Sequence, residues 1–255
     1  MIRIGLVLPD VLGTYGDSGN ALVLRQRARM RHMEAEIIPL HLGDPIPADL
    51  SVYTLGGGED ASQRIALEHL RNDGGLEAAA NAGRPILAIC AGLQILGNDF
   101  DGLPGLGLLD ISTSPQEKRA IGELRSMPLR AAVPELTEPL TGFENHLGAT
   151  SLGPKAAPLA TVSQGVGNGI AAEQSAGGAG GAGAAGAAGG ATGGAGAPEG
   201  VVQGSIIATY MHGPVLARNP QLADLLLARA LGIPLAELPA LDIPVVDRLR
   251  LERLA

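Results

Sequence analysis

The first hundred residues alternate between short apolar strands and helical segments, and this alternation constrains the fold more than any other feature of the chain. The strand candidates are rich in Ile, Leu and Val and are Ile2–Leu8, Glu36–Leu40, Leu50–Leu55 and Pro85–Ile89. Near-continuous apolar runs are typical of parallel strands that are buried on both faces. Helical patterns lie between or after them, at Ser18 or Asn20 to Met33, Asp60 to Leu70, Gly75 to Ala82 and from Ala91 to Leu96. The sequence therefore predicts an α/β fold with a mostly parallel, doubly wound sheet and helices on both faces.

Beyond Leu106 the apolar segments are shorter and are not separated by helices. They are Leu108–Thr113, Arg119–Met127, Gly142–Leu147, Ala160–Val162 and Gly204–Tyr210. This pattern predicts an antiparallel extension of the sheet, followed by a last helix at Leu222–Leu231. We expect residues 1–231 to form one domain and residues 232–255 to form a C-terminal tail with a short helix.

One segment interrupts that domain. Ala176–Ala197 consists of Ala and Gly except for Thr192. Such a segment buries too little apolar surface to offset the entropy of ordering so many glycines. We expect residues 174–199 to be a disordered insertion in a turn between two strands.

The overall composition excludes several classes of partner and location. A net charge of −8 argues against nucleic acid or an anionic membrane surface as a partner. The chain has no strongly apolar run of 18 residues, so we expect no membrane span. Its single cysteine cannot form an intramolecular disulfide, and a free thiol suits a reducing compartment, so we expect a cytoplasmic protein.

That single cysteine, Cys90, lies at the junction between a predicted strand and a predicted helix. Ala88 and Gly92 flank it two residues away on either side, which approaches the pattern of a nucleophile elbow. The free N–H groups and the positive end of the following helix favour the thiolate. A lone cysteine is otherwise often an inert small apolar residue, and the elbow raises the case for a nucleophile.

A histidine in the second half of the chain is a candidate partner for this nucleophile. His212 follows the apolar segment that begins at Ile206, so its imidazole is expected at the same edge of the sheet as Cys90. A Cys–His pair can attack a carbonyl carbon and then protonate the leaving amine.

Seven motifs together resemble those of the class I glutamine amidotransferases. They are Tyr15-Gly-Asp-Ser-Gly-Asn20, Leu24-Arg-Gln-Arg-Ala28, Gly56-Gly-Gly58, Cys90-Ala-Gly-Leu-Gln94, Lys118-Arg-Ala-Ile-Gly122, Gly142-Phe-Glu-Asn-His146 and Tyr210-Met-His-Gly-Pro214. The Gly-Pro after His212 resembles the cobyric-acid-synthase-like branch. Within that branch the motifs most resemble the glutaminase subunits of lipid II isoglutaminyl synthases. The resemblance covers about residues 2 to 231, apart from the Ala/Gly insertion, and it implies the class I amidotransferase fold.

The resemblance also implies a set of roles. Cys90 and His212 would hydrolyse L-glutamine, and backbone N–H groups of Gly57, Gly58 and Ala91 would hold the oxyanion. The usual third member of the triad, a Glu two residues after the His, is absent because position 214 is Pro. Either a Cys–His dyad suffices or Asp17 orients the imidazole, although Asp17 can also simply form a turn.

Three further residues are candidates for contact with glutamine. Arg119 matches the family arginine that holds the α-carboxylate, with Lys118 and Arg125 as rivals or a solvated surface role as the alternative. Gln94 either binds the ligand or supports the elbow. His146 either lies against the substrate or is a structural histidine.

The sequence offers no Cys/His cluster for a metal and no Walker-type glycine loop for a nucleotide. We therefore expect no cofactor on this chain. By resemblance, ATP and Mg²⁺ would be bound by a Mur-ligase-like synthetase partner (MurT), which would use the ammonia to amidate the D-glutamate of lipid II. The alternatives are a cobyrinate-type glutaminase component, which usually shares its chain with an ATPase domain not found here, and a catalytically silent scaffold for a ligase.

Overall fold

The computed structural model of the chain describes residues 1–169 and 194–254. In chain order, its strands and helices are β1 (Ile2–Val7), α1 (Gly19–Arg29), β2 (Ala35–Leu40), β3 (Val52–Leu55), α2 (Asp60–Asp73), α3 (Gly75–Asn81), β4 (Ile86–Ile89), α4 (Ala91–Leu96), β5 (Asp99–Phe100), β6 (Leu103–Pro104), β7 (Ile111–Pro128), β8 (Leu140–Leu152), β9 (Ala160–Gln164), β10 (Pro198–Glu199), β11 (Val201–Gln203), β12 (Ile206–Thr209), α5 (Val215–Arg218), α6 (Pro220–Leu231), a 3-10 helix (Leu235–Glu237) and α7 (Pro244–Leu254).

A six-stranded sheet with the order β11-β12-β4-β3-β1-β2 forms the centre of the fold. Every pairing in it is parallel except that of β11 with β12. The residues of β3, β4 and β12 are all buried, which explains why these strands are apolar along their whole length. The predicted mostly parallel, doubly wound α/β sheet is confirmed.

The helices pack in two groups. The first group contains α1, α5 and α6, and the second contains α2, α3 and α4. The buried Arg27 of α1 donates two hydrogen bonds of 2.7 Å to Asp224 of α6. The crossovers from β1 to β2 and from β3 to β4 run in opposite directions along the sheet. Right-handed crossovers therefore place the two groups on opposite faces, where they shield the inner strands from water.

The shorter segments of the second half do not simply lengthen this sheet. Strands β5 to β10 form a separate sheet with the order β10-β9-β7-β5-β6, and β8 pairs with the other edge of β7. The predicted segment Gly204–Tyr210 contains β12, which lies in the central sheet and is parallel to β4. The expected antiparallel extension is thus a second sheet, plus β11 at the edge of the first.

Most of the predicted Ala/Gly insertion, residues 174–193, lies outside the described residues. Its last six residues lie within them. Ala197 is buried, and Pro198 and Glu199 pair with β9. The last two residues of the predicted insertion, Pro198 and Glu199, thus belong to strand β10. Within the described ranges, no helix has the length and apolarity needed to cross a membrane.

Candidate active site

Cys90 lies at a sharp turn between β4 and α4, at the carboxyl end of a central strand. Its φ of +50° and ψ of −102° are unusual for a residue with a side chain, and such strain is typical of a nucleophile elbow. Its N–H donates to the carbonyl of Thr209 at 2.9 Å, which ties the elbow to β12. A β-carbon at Gly92 would approach Leu55 Cβ to 3.0 Å, so the small residue after the turn lets α4 pack closely on β3.

Beside the elbow, His212 and Asp17 form a buried pair. His212 Nδ1 donates to Asp17 Oδ2 at 2.8 Å, and the two residues are 1% and 2% exposed. Burial by itself lowers the pKa of His212, but the hydrogen bond to Asp17 and the adjacent Cys90 outweigh it and raise the pKa to about 9. Because Nδ1 is engaged by Asp17, Nε2 remains for the reaction, and it has no hydrogen-bond partner among the described residues.

The glycine loop after β3 completes this arrangement. Thr14 N–H donates to Gly57 O at 3.1 Å, which fastens the loop carrying Asp17 to the glycine loop. A β-carbon at Gly57 would lie 2.8 Å from His212 Cε1, 3.3 Å from Asp17 Oδ2 and 3.6 Å from Cys90 Cβ. Position 57 is therefore surrounded by all three candidate catalytic residues, and only glycine fits there without displacing the imidazole.

The same loop corrects one predicted role. Gly57 N–H donates to Asp17 Oδ2 at 2.9 Å, so it is not free to hold an oxyanion, and that prediction is wrong for Gly57. In the described parts of the chain, Gly58 N–H and Ala91 N–H donate no hydrogen bond. These two of the three predicted donors thus remain available.

Cys90 and His212 open into a cavity of about 280 Å³. Of the three cations considered for the substrate carboxylate, only Arg119 lines it. Arg125 instead donates to the carbonyl of Leu254. The geometry therefore favours Arg119 over Lys118 and Arg125 for this contact.

Gln94 also lines the cavity, but both ends of its amide are engaged by the protein. It donates to the hydroxyl of Tyr210 at 3.2 Å and accepts from Gln63 at 3.1 Å. These bonds suit a residue that supports the elbow. A contact of Gln94 with glutamine remains a prediction.

His146 lines the cavity as well, and it is 3% exposed. Its Nδ1 donates to Gly148 O at 2.8 Å, its Nε2 is 3.5 Å from Glu144 Oε2, and its ring stacks on Tyr210 with centroids 3.8 Å apart. The protein thus holds the ring on three sides. Its contact with the substrate also remains a prediction.

Three residues near the site were assigned no role from the sequence. Tyr15 and Asn145 line the cavity and are hydrogen-bonded to each other at 2.5 Å. Glu199 accepts hydrogen bonds from the hydroxyl of Thr209 and from Tyr210 N–H. Both of these donor residues lie shortly before His212 in the chain. Burial, partly offset by these bonds, raises the pKa of Glu199 to about 7. Tyr15 and Asn145 lie within quoted motifs, but the contacts that give them a role join distant parts of the chain.

A thiol on a strained elbow, an imidazole beside it and a carboxylate behind the imidazole can form and break a covalent acyl-enzyme. Ala91 follows Cys90 directly and Gly58 lines the same cavity, so their free N–H groups can stabilise an oxyanion. The site defines a cysteine-dependent enzyme for acyl transfer from an amide or ester.

The chain belongs to the CobB/CobQ-like glutamine amidotransferase domain family, whose model matches residues 3–220. It is similar to the lipid II isoglutaminyl synthase (glutamine-hydrolyzing) subunit GatD of Staphylococcus aureus, with 30% identity over 89% of this chain and 84% of the relative. Cobyric acid synthase of Bradyrhizobium is 35% identical over 53% of this chain but only 28% of that protein. A glutamine amidotransferase from Thermotoga maritima has the same fold, with a TM-score of 0.52 and 16% identity over 99% of this chain and 93% of that structure.

Proposed function

We propose that this chain is the glutaminase subunit of a lipid II isoglutaminyl synthase. In that role it releases ammonia from L-glutamine and delivers it to a Mur-ligase-like subunit (MurT). The partner binds ATP and Mg²⁺ and amidates the α-carboxylate of D-glutamate in the lipid II stem peptide. The observation that carries the glutaminase part is the buried Cys90–His212–Asp17 arrangement at the end of an α/β sheet.

The walls of the cavity support an amino acid as the substrate. Arg119 offers a planar guanidinium for a carboxylate, and the acidic residues Glu59, Asp60 and Asp101 also line the cavity. The cavity therefore presents both signs of charge, as the zwitterionic end of glutamine requires. The amide end of the substrate would then reach the sulfur of Cys90.

The reaction follows from these positions. The Cys90 sulfur attacks Cδ of glutamine, and the negative charge on the amide oxygen is held by the N–H groups of Gly58 and Ala91. His212 gives its Nε2 proton to the leaving nitrogen, and the C–N bond breaks to release ammonia and a γ-glutamyl thioester. A water molecule then attacks the thioester while His212 takes its proton, and glutamate leaves with the thiol restored.

The partner and the compartment follow from the chemistry of the product. Forming an amide from a carboxylate and ammonia requires ATP, so the ammonia must reach a subunit that activates the carboxylate. A thiol nucleophile must also stay reduced. We therefore place the reaction in the cytoplasm, with the two subunits in one complex.

A cobyrinate-type glutaminase component is the second candidate. It is favoured by the 35% identity with a cobyric acid synthase. It is disfavoured because that similarity spans only 28% of that protein, whereas the similarity to GatD spans 84% of the relative. A silent scaffold is a weaker candidate, since it gives no reason to keep a strained thiol beside a buried imidazole.

The decisive experiment is co-expression of the full chain with the Mur-ligase-like protein of the same cell. We expect a stable complex that amidates lipid II with glutamine and ATP, detected by mass spectrometry of the stem peptide. Amidation of a cobyrinate instead would favour the second candidate. Absence of any ammonia release from glutamine, with or without the partner, would favour the scaffold.

Replacing Arg119 tests the carboxylate contact. We expect Arg119→Ala to raise the KM for glutamine by about 10²-fold with a smaller effect on kcat, because a charge-assisted bidentate bond is lost from the bound substrate. Lys118→Ala is the matched control, since Lys118 is the adjacent cation and does not line the cavity. Equal KM values for the wild type and Arg119→Ala in steady-state ammonia release would remove Arg119 from the substrate site.

A further inference from the structure

Three side chains form a hydrogen-bonded bridge at the wall of the cavity. Asn145 Nδ2 donates to the hydroxyl of Tyr15 at 2.5 Å, and Arg119 Nη1 donates to Asn145 Oδ1 at 3.1 Å. All three residues line the cavity that contains Cys90. An asparagine amide carries one acceptor and one donor group, so Asn145 can accept from Arg119 and donate to Tyr15 at the same time. We call Tyr15, Asn145 and Arg119 the mouth bridge.

An irregularity in β7 accounts for the position of Arg119. Pro115 pairs with Gly148 and Ala120 pairs with His146, so the four residues 116–119 lie opposite the single residue 147. A bulge of this kind takes its residues out of the regular ladder and redirects their side chains. Arg119 is the last residue of the bulge, and its guanidinium reaches sideways to Asn145 on β8.

Tyr15 connects the mouth bridge to the candidate catalytic residues. It has a φ of +60°, a conformation that residues with a side chain seldom adopt, and it lies two residues before Asp17. The edge of its ring approaches the ring of His212, with centroids 4.9 Å apart and planes at 61°. Contacts therefore run without interruption from Arg119 through Asn145 and Tyr15 to His212.

We propose that Asn145 and Tyr15 are positioning residues that couple capture of the substrate carboxylate to the placement of the catalytic imidazole. The bond to Asn145 uses one donor of the guanidinium and fixes its plane, while its other donors remain for the carboxylate. Tyr15 in turn connects Asn145 to the loop that holds Asp17, and its ring packs against the ring of His212. This inference rests on the proposed glutaminase function and adds two residues to its substrate site.

Kinetic constants of four variants, measured on the complex with the partner, test the coupling. We expect Asn145→Ala to raise the KM for glutamine about tenfold, because Arg119 loses its orienting bond. Asn145→Asp retains an acceptor for Arg119 but pairs it with a charge that competes with the substrate, so KM rises there too. Tyr15→Phe keeps the ring beside His212 and raises mainly KM, whereas Tyr15→Ala also lowers kcat and alters its pH profile. The control is Asn72→Ala, an exposed asparagine of α2 outside the cavity.

Chemical labelling of Cys90 separates this inference from the proposed function. A chloroketone analogue of L-glutamine carries the α-carboxylate and α-amine, whereas iodoacetamide carries neither. We expect Asn145→Ala to slow labelling by the chloroketone about tenfold relative to labelling by iodoacetamide. The same ratio in the wild type and Asn145→Ala, or wild-type KM in both Asn145 variants, overturns the mouth bridge. Failure of the wild type to release ammonia from glutamine instead counts against the glutaminase function.

Discussion

Replacing Cys90 with alanine is expected to abolish glutamine hydrolysis, with kcat falling by at least about 10⁴-fold. Cys90 is the only thiol in the chain, so no other residue can form the thioester. The measurement is ammonia release from glutamine by the complex, together with mass spectrometry for the γ-glutamyl adduct. The variant should fold normally, because a small side chain at a position that is 8% exposed leaves only a small space.

An ammonia-rescue experiment provides the control for this variant. If the partner synthetase receives ammonia from this subunit, the complex containing Cys90→Ala should still amidate lipid II when ammonium chloride replaces glutamine. Rescue would show that the complex and the partner are intact and that only ammonia production is lost. Wild-type hydrolysis of glutamine by Cys90→Ala would contradict the assignment of the nucleophile.

The positions of Cys90 and His212 were predictable from the sequence because they depend on local patterns and one general rule. Each follows an apolar segment that forms a parallel strand, and parallel strands end at a common edge of the sheet. Pairing of β4 with β12 brings the two residues to the same edge. The strained backbone of Cys90 also agrees with the small residues around it.

The remaining geometry depends on contacts that no local pattern specifies. The bond between Asp17 and His212 joins residues 195 positions apart, so the sequence left both a dyad and a triad open. The choice of Arg119 among nearby cations depends on how the bulge in β7 turns each side chain. An alternating apolar pattern indicates a strand but does not specify which sheet the strand joins. The sequence therefore predicted an extension of the first sheet instead of a second sheet.

The use of Gly57 shows why backbone roles are hard to assign from a motif alone. The resemblance assigned the N–H groups of both Gly57 and Gly58 to the oxyanion, but the sequence does not show which of them is free to face it. In the structure the Gly57 N–H is used to hold Asp17. The same glycine loop therefore supports both the carboxylate behind the imidazole and, through Gly58, the predicted oxyanion site.

The carboxylate of Asp17 is expected to act on the reaction through His212, whose Nδ1 it accepts from at 2.8 Å. We expect Asp17→Asn to lower kcat by about 10²–10⁴-fold, the range of general acid–base catalysis. In this variant the amide oxygen of the new side chain can replace Oδ2 of Asp17 and accept from both Gly57 N–H and His212 Nδ1–H. The new NH₂ group then takes the place of Oδ1, which has no partner in the described parts of the chain. Asp17→Asn thus removes the charge and largely keeps the geometry.

The pH dependence gives the charge effect a distinct signature. In the wild type the pKa of His212 is raised to about 9, so the imidazole keeps its proton through neutral pH and loses it as the pH rises through that value. Without the negative charge of Asp17 this pKa must fall. The alkaline limb of the kcat profile should therefore move to lower pH in Asp17→Asn.

Two further variants separate charge from structure. Asp17→Ala also breaks the bond to Gly57 and leaves its buried N–H unpaired, so we expect a lower melting temperature in addition to lower kcat. Asp242→Asn, at an exposed position in the C-terminal tail, removes the same charge far from the cavity and should change neither quantity. A wild-type kcat and pH profile in Asp17→Asn would mean that Cys90 and His212 act as a dyad. A lower kcat with a shifted alkaline limb and an unchanged melting temperature would instead place Asp17 in the catalytic machinery, because a purely structural carboxylate has no reason to alter the titration of the imidazole.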